Sequence, residues 1–503
     1  MRARTGLQGS QWVLLLSVLI LAACLRIYRL GAENFWIDEL NQIQVASQSP
    51  LEIIRNYRPG AERMLQGRWS LRTWDQAPLS ILISHLFLSH ENREFWARFP
   101  SFLFGCLGVV AIFLFARRYV SFQTALLSMF LLAISPLDIW YSQEARWYTQ
   151  WSLLTTLSYL ALATAERSGK VRHWATYAAL VVASIYTFLY AFCLLFAQAM
   201  SQLWRARRSL SDRRVLAAFA CVVVLILTLT VPVTRMILGN LETANSGTPR
   251  SSSLLELPYT FLTFSTGFTI GPSLADLHAP LGLGTILTRY PALILVFLVF
   301  GSVALAGSVQ LLSRPDLGSW LWPWLLIPIT SVFLVAAIIP DMTYQVRYSF
   351  AALPAFCLLL AIGLESVTSR LRWLAIASVI LLSAFSLWHL YSNSYYDKAD
   401  VRGAIAHVKS NCPGGCQLAV VGQVVMAIPF YGDQPDLQVV LGCGSKDGLR
   451  DPVDSTRDVW LLVGRDWKSE GEPCRQLLTE THVESRAAKL PGIEIWKFEP
   501  RVR

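Results

Sequence analysis

Long apolar windows constrain this chain more than any other feature. Eleven windows are long and apolar enough to be interpreted as helices that cross a bilayer, for which about 20 residues are needed. Only 15% of the 503 residues are charged and 54% are hydrophobic, whereas soluble proteins carry about 25% charge. The sequence therefore predicts a polytopic α-helical membrane protein, and it excludes secreted disulfide scaffolds, disordered chains and soluble DNA-binding proteins. The windows are 11–29, 99–116, 122–139, 148–165, 173–188, 190–204, 215–234, 290–312, 318–338, 348–367 and 372–391.

Two N-terminal segments need separate interpretation. The segment 78–89 has only about twelve apolar residues, which favours an interfacial or re-entrant helix over a span. The window 11–29 resembles a signal peptide, but it lacks a small-residue cleavage site and runs into Arg26 and Arg29. We therefore predict that it is an uncleaved first span.

Positive charge predicts the orientation of the spans. One set of alternate loops holds 13 basic residues, and the other set holds only Arg146, Arg235, Arg250 and Arg347. Because basic loops remain in the cytoplasm, the first set is predicted to be cytoplasmic. The N-terminus is then cytoplasmic, and the C-terminal tail is extracytoplasmic.

Charge also divides the chain near residue 391. Residues 1–391 hold 29 basic and 18 acidic side chains, whereas residues 392–503 hold 14 and 15. The net charge of +10 therefore belongs to the membrane part, and it does not indicate a nucleic-acid partner. We predict a transmembrane domain over 1–391, with a large external loop at 31–98, and a small α/β domain over 392–503. In that domain the sequence predicts a helix at 397–410 and strands at 417–421, 437–441, 459–463 and 493–498.

The distribution of the cysteines supports an external C-terminal tail. Five lie in apolar segments, where cysteine behaves as a small hydrophobe. Four lie in the tail, which fits two disulfides in an oxidising compartment. A zinc site is the less favoured alternative because the spacing is irregular and no histidine pair is nearby. The tail cysteines are Cys412, Cys416, Cys443 and Cys474.

The first external loop carries two adjacent carboxylates, Asp38 and Glu39, close to Trp36. The ordinary interpretation is a solvated helix start, where acidic residues complement the helix dipole. The functional interpretation is that a carboxylate at the bilayer surface acts as a general base or orients one.

Other charged and aromatic segments fall on the same predicted outer face: 74–79, 94–101, 135–148 and 344–348. A single arginine at the end of a span is usually an interface anchor. Several arginines that converge with carboxylates, tyrosines and tryptophans are typical of a site for an anionic ligand embedded in the membrane.

These segments resemble a known family. The Asp-Glu pair, the Pro-Leu segment at 78–79, RFPSFLFG (98–105), SPL…YSQEARWY (135–148) and RY…LP (347–354) are similar to the protein-mannosyltransferase and aminoarabinose-transferase group. These are integral-membrane glycosyltransferases of the GT-C fold. The resemblance covers about residues 10–391, and the SQEARWY string is its most specific part.

The resemblance implies a polyprenyl-phosphate-linked sugar donor, no nucleotide sugar, and transfer on the extracytoplasmic face. It places the catalytic carboxylate at Asp38, with Glu39 beside it. The chain departs from the family pattern at Gln76 and Ala77, which argues against a true protein mannosyltransferase.

Elementary chemistry predicts the roles of the site residues. A hydroxyl or amine acceptor needs a base, for which we predict Asp38. The leaving lipid phosphate needs positive charge instead of an acid, and arginine forks supply it. Arg146 and Arg347 are the first candidates and Arg98 the third, while Trp36, Asp75, Gln143, Tyr148 and Tyr348 are predicted to line the site. Attack from the side opposite the phosphate predicts inversion, and the absence of metal-ligand spacing predicts a metal-independent enzyme without a cofactor.

Two other functions are compatible with many spans. A lipid or solute transporter would usually show internal repeats or interrupted helices in matching positions, and the sequence shows neither. A non-catalytic anchor or receptor for the external domain is the other alternative. The sugar and the acceptor, whether lipid, glycan or protein, stay open, and the resemblance favours a bacterial inner membrane.

Overall fold

A computed structural model describes most of the chain as two compact units. The first contains residues 1–30, 42–270 and 289–387, and the second contains 31–41, 271–288 and 388–503. The described residues are 8–55, 63–65, 69–71, 77–88, 91–208, 212–235, 253–272, 283–339, 344–393, 395–412, 415–421, 424, 427–431, 437–441, 453–464 and 468–501.

Helices dominate residues 9–392. A short antiparallel hairpin, β1 (Arg63–Leu65) and β2 (Trp69–Leu71), interrupts them, and a 3₁₀ helix covers Val346–Ala352. The α-helices are α1 (Gly9–Ile27), α2 (Ile37–Ala46), α3 (Pro50–Arg55), α4 (Pro78–Leu86), α5 (Arg93–Ala116), α6 (Phe122–Ala133), α7 (Pro136–Ser142), α8 (Tyr148–Ser168), α9 (Val171–Ile185), α10 (Ala191–Arg207), α11 (Arg213–Leu229), α12 (Glu256–Thr266), α13 (Leu283–Arg289), α14 (Ala292–Leu312), α15 (Pro315–Ile338), α16 (Leu353–Ser366) and α17 (Ser369–Ser392).

Every predicted span coincides with a helix, but the predicted number of spans is not confirmed. Among the described residues, six helical segments are long and apolar enough to cross a membrane, and a bent pair could form a seventh. Four predicted spans fall short of these criteria. Three of them, α9, α10 and α11, have only 15, 17 and 17 residues. The fourth, α8, is not apolar enough because Thr, Ser, Tyr and Gln side chains occur along its length. The short helix predicted at 78–89 is present as α4.

The window 122–139 is a broken helix instead of the single span predicted. Helices α6 and α7 meet at an angle of 56°. Pro136 starts α7, where its missing N–H costs nothing, but it cannot continue α6 because it has no hydrogen to donate. The Ser135 hydroxyl accepts from the backbone N–H of Asp138 at 3.4 Å and caps the new helix.

Aromatic packing and small residues hold the helices of the first unit together. Trp324 on α15 stacks on Tyr159 of α8 with ring centroids 4.5 Å apart, and it meets Phe115 of α5 edge to face. Helices α14 and α16 approach closely at Gly307 and Gly363, where an added Cβ would collide with the opposite backbone. Such close contacts through glycine are typical of helices packed in a membrane.

The second unit contains a five-stranded mixed sheet in the order β4-β3-β5-β7-β6. Strands β3, β4 and β5 are parallel, whereas β6 and β7 are antiparallel additions. Its core packs Leu461 and Val463 against Cys474 and Leu478. The predicted small C-terminal sheet is therefore confirmed, and β6, α19 and α20 are elements that the sequence did not predict. The elements are β3 (Cys416–Val421), β4 (Leu437–Leu441), β5 (Val459–Gly464), β6 (His482–Leu490), β7 (Ile493–Pro500), α18 (Val401–Ser410), α19 (Ile428–Tyr431) and α20 (Lys468–Thr481).

One disulfide of this unit closes a short loop. Cys412 and Cys416 form a disulfide with their Cα atoms 6.1 Å apart. Cys474 is also disulfide-bonded, and Cys443 lies outside the described residues. The five cysteines of the apolar segments are free thiols.

Candidate active site

The two predicted catalytic carboxylates occupy the first turn of α2. Glu39 is fully buried and accepts the backbone N–H of Trp36 at 3.2 Å, which caps the helix from within. It also pairs with the Lys398 ammonium group at 3.2 Å. Glu39 therefore fixes the start of α2 within the second unit.

Asp38 differs from its neighbour because it is only half-buried. The residues just before it are firmly held. The Asn34 side chain donates to the carbonyl of Ala399 at 2.5 Å, and the Phe35 N–H donates to the Tyr431 hydroxyl at 2.9 Å. Asp38 is thus a partly accessible carboxylate on an anchored helix start, as a general base requires.

A second set of candidate residues meets in the first unit, where two arginines lie on one stack of aromatic rings. We call Arg146, Trp147, Tyr148, Phe188, Tyr190, Arg347 and Tyr348 the arginine–aromatic cluster. Trp147 stacks on Phe188 at 3.5 Å between centroids and lies parallel to Tyr348 at 6.4 Å. Tyr348 in turn stacks on Tyr190 at 5.3 Å.

The two guanidinium groups contact different rings of this stack. The Cζ atom of Arg146 lies 5.8 Å from the Trp147 ring centroid and 5.9 Å from that of Tyr148. The Cζ atom of Arg347 lies 5.5 Å from the centroid of Tyr348. Arg146 is buried, whereas Arg347 and Tyr348 are half-buried. The cluster therefore concentrates positive charge on a rigid apolar support, an arrangement suited to an anion with an attached ring or chain.

Two predicted site residues make backbone contacts instead. The Gln143 side chain donates to the carbonyls of Arg26 and Tyr28 at 3.0 and 2.7 Å. Arg98 is buried and donates to the carbonyl of Leu30 at 3.1 Å. These contacts hold the end of the first span.

The remaining predicted site residues differ in burial. Trp36 is half-buried at the start of α2, and Tyr148 is fully buried against Tyr141 at 4.3 Å between ring centroids. Asp75 lies outside the described residues. Within the described ranges, no group of three His, Cys, Asp or Glu side chains is placed to hold a metal ion. Metal independence stays a prediction.

Sequence reasoning missed one buried ion pair. Arg26 and Asp138 are fully or almost fully buried, with Nη2 and Oδ1 2.6 Å apart. The available signal was Asp138 itself, a carboxylate inside an apolar segment. Such a residue must be paired there because burying an isolated charge is costly.

Comparison with known proteins agrees with this architecture. Residues 75–234 match the family model described as dolichyl-phosphate-mannose-protein mannosyltransferase. No curated protein sequence matches the chain. The crystal structure of ArnT from Cupriavidus metallidurans bound to undecaprenyl phosphate superposes with a TM-score of 0.56 at 14% identity, over 97% of this chain and 98% of that one.

A second solved structure is similar over nearly the whole chain. The oligosaccharyltransferase AglB from Archaeoglobus fulgidus, in complex with an inhibitory peptide and a dolichol-phosphate, has a TM-score of 0.54 at 12% identity, covering 97% of this chain and 74% of AglB. The chain is thus an integral membrane protein with the GT-C fold. Its predicted resemblance to the mannosyltransferase and aminoarabinose-transferase group is confirmed.

Proposed function

We propose that this protein is a glycosyltransferase that moves a sugar from a polyprenyl-phosphate donor to a hydroxyl or amine acceptor. The observation that carries the proposal is the arginine–aromatic cluster, where Arg146 and Arg347 contact rings that stack on one another. The fold supports the proposal because ArnT and AglB, which share it, were solved with undecaprenyl phosphate and dolichol-phosphate bound.

The proposed reaction assigns separate roles to the carboxylate and the two arginines. Asp38 removes the acceptor proton as the acceptor oxygen or nitrogen bonds to the anomeric carbon. The bond from that carbon to the phosphate oxygen breaks, and its electron pair leaves with the lipid phosphate. Arg146 and Arg347 stabilise the phosphate charge as it develops. Attack opposite the leaving group inverts the anomeric centre.

The contacts suggest a supporting role for two other predicted residues. Glu39 caps α2 and pairs with Lys398, so it positions Asp38. Arg98 holds the carbonyl of Leu30, which favours a structural role over phosphate binding. Tyr348 and Trp36 are both half-buried. They are suited to contact the substrates, since aromatic faces bind sugar rings and isoprenoid chains through apolar contact.

The proposal places transfer on the extracytoplasmic side. The distribution of basic loops supports a cytoplasmic N-terminus and an extracytoplasmic second unit. The Cys412–Cys416 disulfide supports the same orientation, because disulfides persist in oxidising compartments. A bacterial inner membrane fits both, and the acceptor is a lipid, a glycan or a protein.

Transfer in membrane vesicles tests the proposal. A panel of radiolabelled polyprenyl-phosphate hexoses and pentoses is supplied with a membrane extract as acceptor, and wild type is compared with Asp38→Asn. We expect acceptor-dependent transfer from one donor and a loss of about 10²–10⁴-fold in the variant. The matched control is Asp454→Asn, an exposed turn residue of the same unit. The pKa of Asp454 is held below the usual value by hydrogen bonds from the Thr456 hydroxyl and N–H. The Asp454→Asn substitution should leave transfer unchanged.

Other outcomes contradict specific parts of the proposal. Equal transfer by wild type and Asp38→Asn removes Asp38 as the base. No transfer from any donor, together with movement of a lipid or solute across the vesicle membrane, identifies a transporter instead.

A further inference from the structure

The break between α6 and α7 is closed by one buried side chain. Arg26, in the last turn of α1, donates from Nη1 to the carbonyl of Ala133 at 2.8 Å and from Nη2 to that of Leu132 at 3.0 Å. These carbonyls lie in the last turn of α6, where the regular helical hydrogen bonds run out, and Leu132 also accepts the N–H of Ser135 at 3.3 Å. The same guanidinium contacts Asp138 in the first turn of α7, at 2.6 Å from Nη2 and 3.2 Å from Nε. Arg26 thus joins both sides of the break.

The other end of α7 is tied to the same turn of α1. Gln143 follows the last residue of α7, and its Nε2 atom donates to the carbonyls of Arg26 and Tyr28. The seven-residue α7 is therefore held at its start by the Arg26 side chain and at its end by the backbone around Arg26.

One face of α5 completes the support. Arg98, Ser101 and Gly105 are spaced i, i+3 and i+7, so they lie on one side of the helix. Arg98 holds the carbonyl of Leu30, and the Ser101 hydroxyl donates to the carbonyl of Arg146 at 2.9 Å. At Gly105 an added Cβ would collide with the Ser142 hydroxyl and lie 3.2 Å from Nε of Arg26. Arg98, Ser101 and Gly105 of the RFPSFLFG segment thus face this junction.

This series of contacts leads to Arg146. It lies three residues beyond Gln143, and its carbonyl is fixed by Ser101, whose own carbonyl accepts from the Thr149 hydroxyl at 2.9 Å. The Glu144 side chain between them accepts from Trp140 at 2.7 Å. The segment 143–149 therefore has little freedom, and a shift of α7 must be passed on to the Arg146 backbone.

We propose that Arg26, Asp138 and Gln143 are positioning residues that set the place of the Arg146 guanidinium for the donor phosphate. The inference rests on the proposed function for what Arg146 binds, but its structural part depends only on the contacts of α1, α5 and α7. The donor phosphate is already anionic before transfer, so a misplaced Arg146 guanidinium weakens donor binding, while Arg347 still stabilises the charge that develops in the chemical step.

Gln143→Glu is the most direct variant. It keeps the size of the side chain but replaces the donor that faces two carbonyls with an acceptor. We expect the KM for the donor to rise about tenfold, with kcat within about twofold of wild type. Arg26→Lys should shift KM in the same direction, because lysine keeps the charge but cannot span the break with a planar fork.

The matched control is Arg205→Lys, in another buried arginine network of the same unit. Arg205 binds Glu166 in the last turn of α8 and Asp316 in the first turn of α15, both outside the segment 143–149. It should lose stability without a change in donor KM. An equal KM shift in Arg205→Lys, or an unchanged KM in Gln143→Glu, overturns the inference.

Hydrogen exchange separates this inference from the proposed function. In Gln143→Glu we expect faster amide exchange across 143–149 than in wild type, whatever the substrate. A wild type that transfers no sugar refutes the proposed function and leaves this measurement valid. Exchange across 143–149 that is the same in Gln143→Glu and wild type refutes the positioning role.

Discussion

Two buried arginines of the first unit show how similar side chains serve different purposes. Arg26 closes a break inside a helix pair, and its partner Asp138 is 4% exposed. Arg205 ties the ends of α8 and α10 to the start of α15, through Glu166 and Asp316. Of these carboxylates, Asp316 is 49% exposed. Arg26 is therefore committed to one buried junction, whereas part of the Arg205 network can be solvated.

The position of each network along α8 adds to the contrast. Helix α8 begins two residues after Arg146 and carries Glu166 in its last turn, so about 30 Å of helix separates them. A charge inside an apolar segment is therefore not in itself evidence of a substrate site. The neighbours of such a charge determine whether it belongs to a site. Of the two networks, the Arg26 network is the one whose contacts lead to the arginine–aromatic cluster.

The largest expected effect is on the stability of Arg26→Gln. The change leaves Asp138 without its main partner, and breaking such a buried pair costs about 3–5 kcal/mol. Arg205→Gln should cost less, about 1–3 kcal/mol, because water reaches Asp316. Thermal unfolding of the purified variants in the same detergent measures the difference. A larger loss in Arg205→Gln contradicts the contrast between the two networks.

A third buried pair, in the second unit, extends the comparison. Lys398→Met removes the ammonium group from Glu39, which keeps its bond from the Trp36 N–H. We expect a loss of about 1.5–3 kcal/mol, the usual value of a hydrogen bond to a charged group, measured by the same unfolding assay. A matched change is Lys497→Met, whose partners Asp458 and Glu499 are partly exposed. If Lys497→Met is the more destabilising of the two, Glu39 does not depend on Lys398.

The smallest change tests the packing at the Arg26 junction. Gly105→Ala places a methyl group against Ser142 and Arg26 and should cost about 1–3 kcal/mol. Gly108→Ala is the control in the same helix, because a Cβ there meets nothing within 4 Å. Alanine favours helices over glycine by about 0.5–1 kcal/mol, so Gly108→Ala should be neutral or stabilising. Only Gly105→Ala should therefore lower the unfolding temperature.

Much of the fold could be predicted from the sequence because apolar windows and strand-like runs are local signals. Each predicted span corresponds to a helix, and the four predicted strands are present. The break at Pro136 was not predicted, since proline is common at helix starts and the window stays apolar through residue 139. The strand β6 was missed because HVESRAAKL is polar, and its pairing with β7 determines its conformation.

The site was less accessible to sequence reasoning. Asp38 and Glu39 are adjacent and chemically similar, yet one is half-buried and the other fully buried beside Lys398. That difference depends on a residue about 360 positions away, which no local pattern shows. Likewise, Arg98 and Arg146 both lie in motifs of the family, but only their contacts distinguish a backbone anchor from a residue on the aromatic stack.

Binding of the leaving group tests the central claim most directly, because it requires neither the sugar nor the acceptor to be known. The affinity of polyprenyl phosphate is measured for the protein in lipid nanodiscs, for wild type, Arg146→Gln, Arg347→Gln and Asp38→Asn. The account predicts at least about tenfold weaker binding in each arginine variant, since a charge-assisted bond contributes about 1.5–3 kcal/mol, and unchanged binding in Asp38→Asn. Equal affinity in wild type and both arginine variants would contradict the assignment of the arginine–aromatic cluster to the donor phosphate.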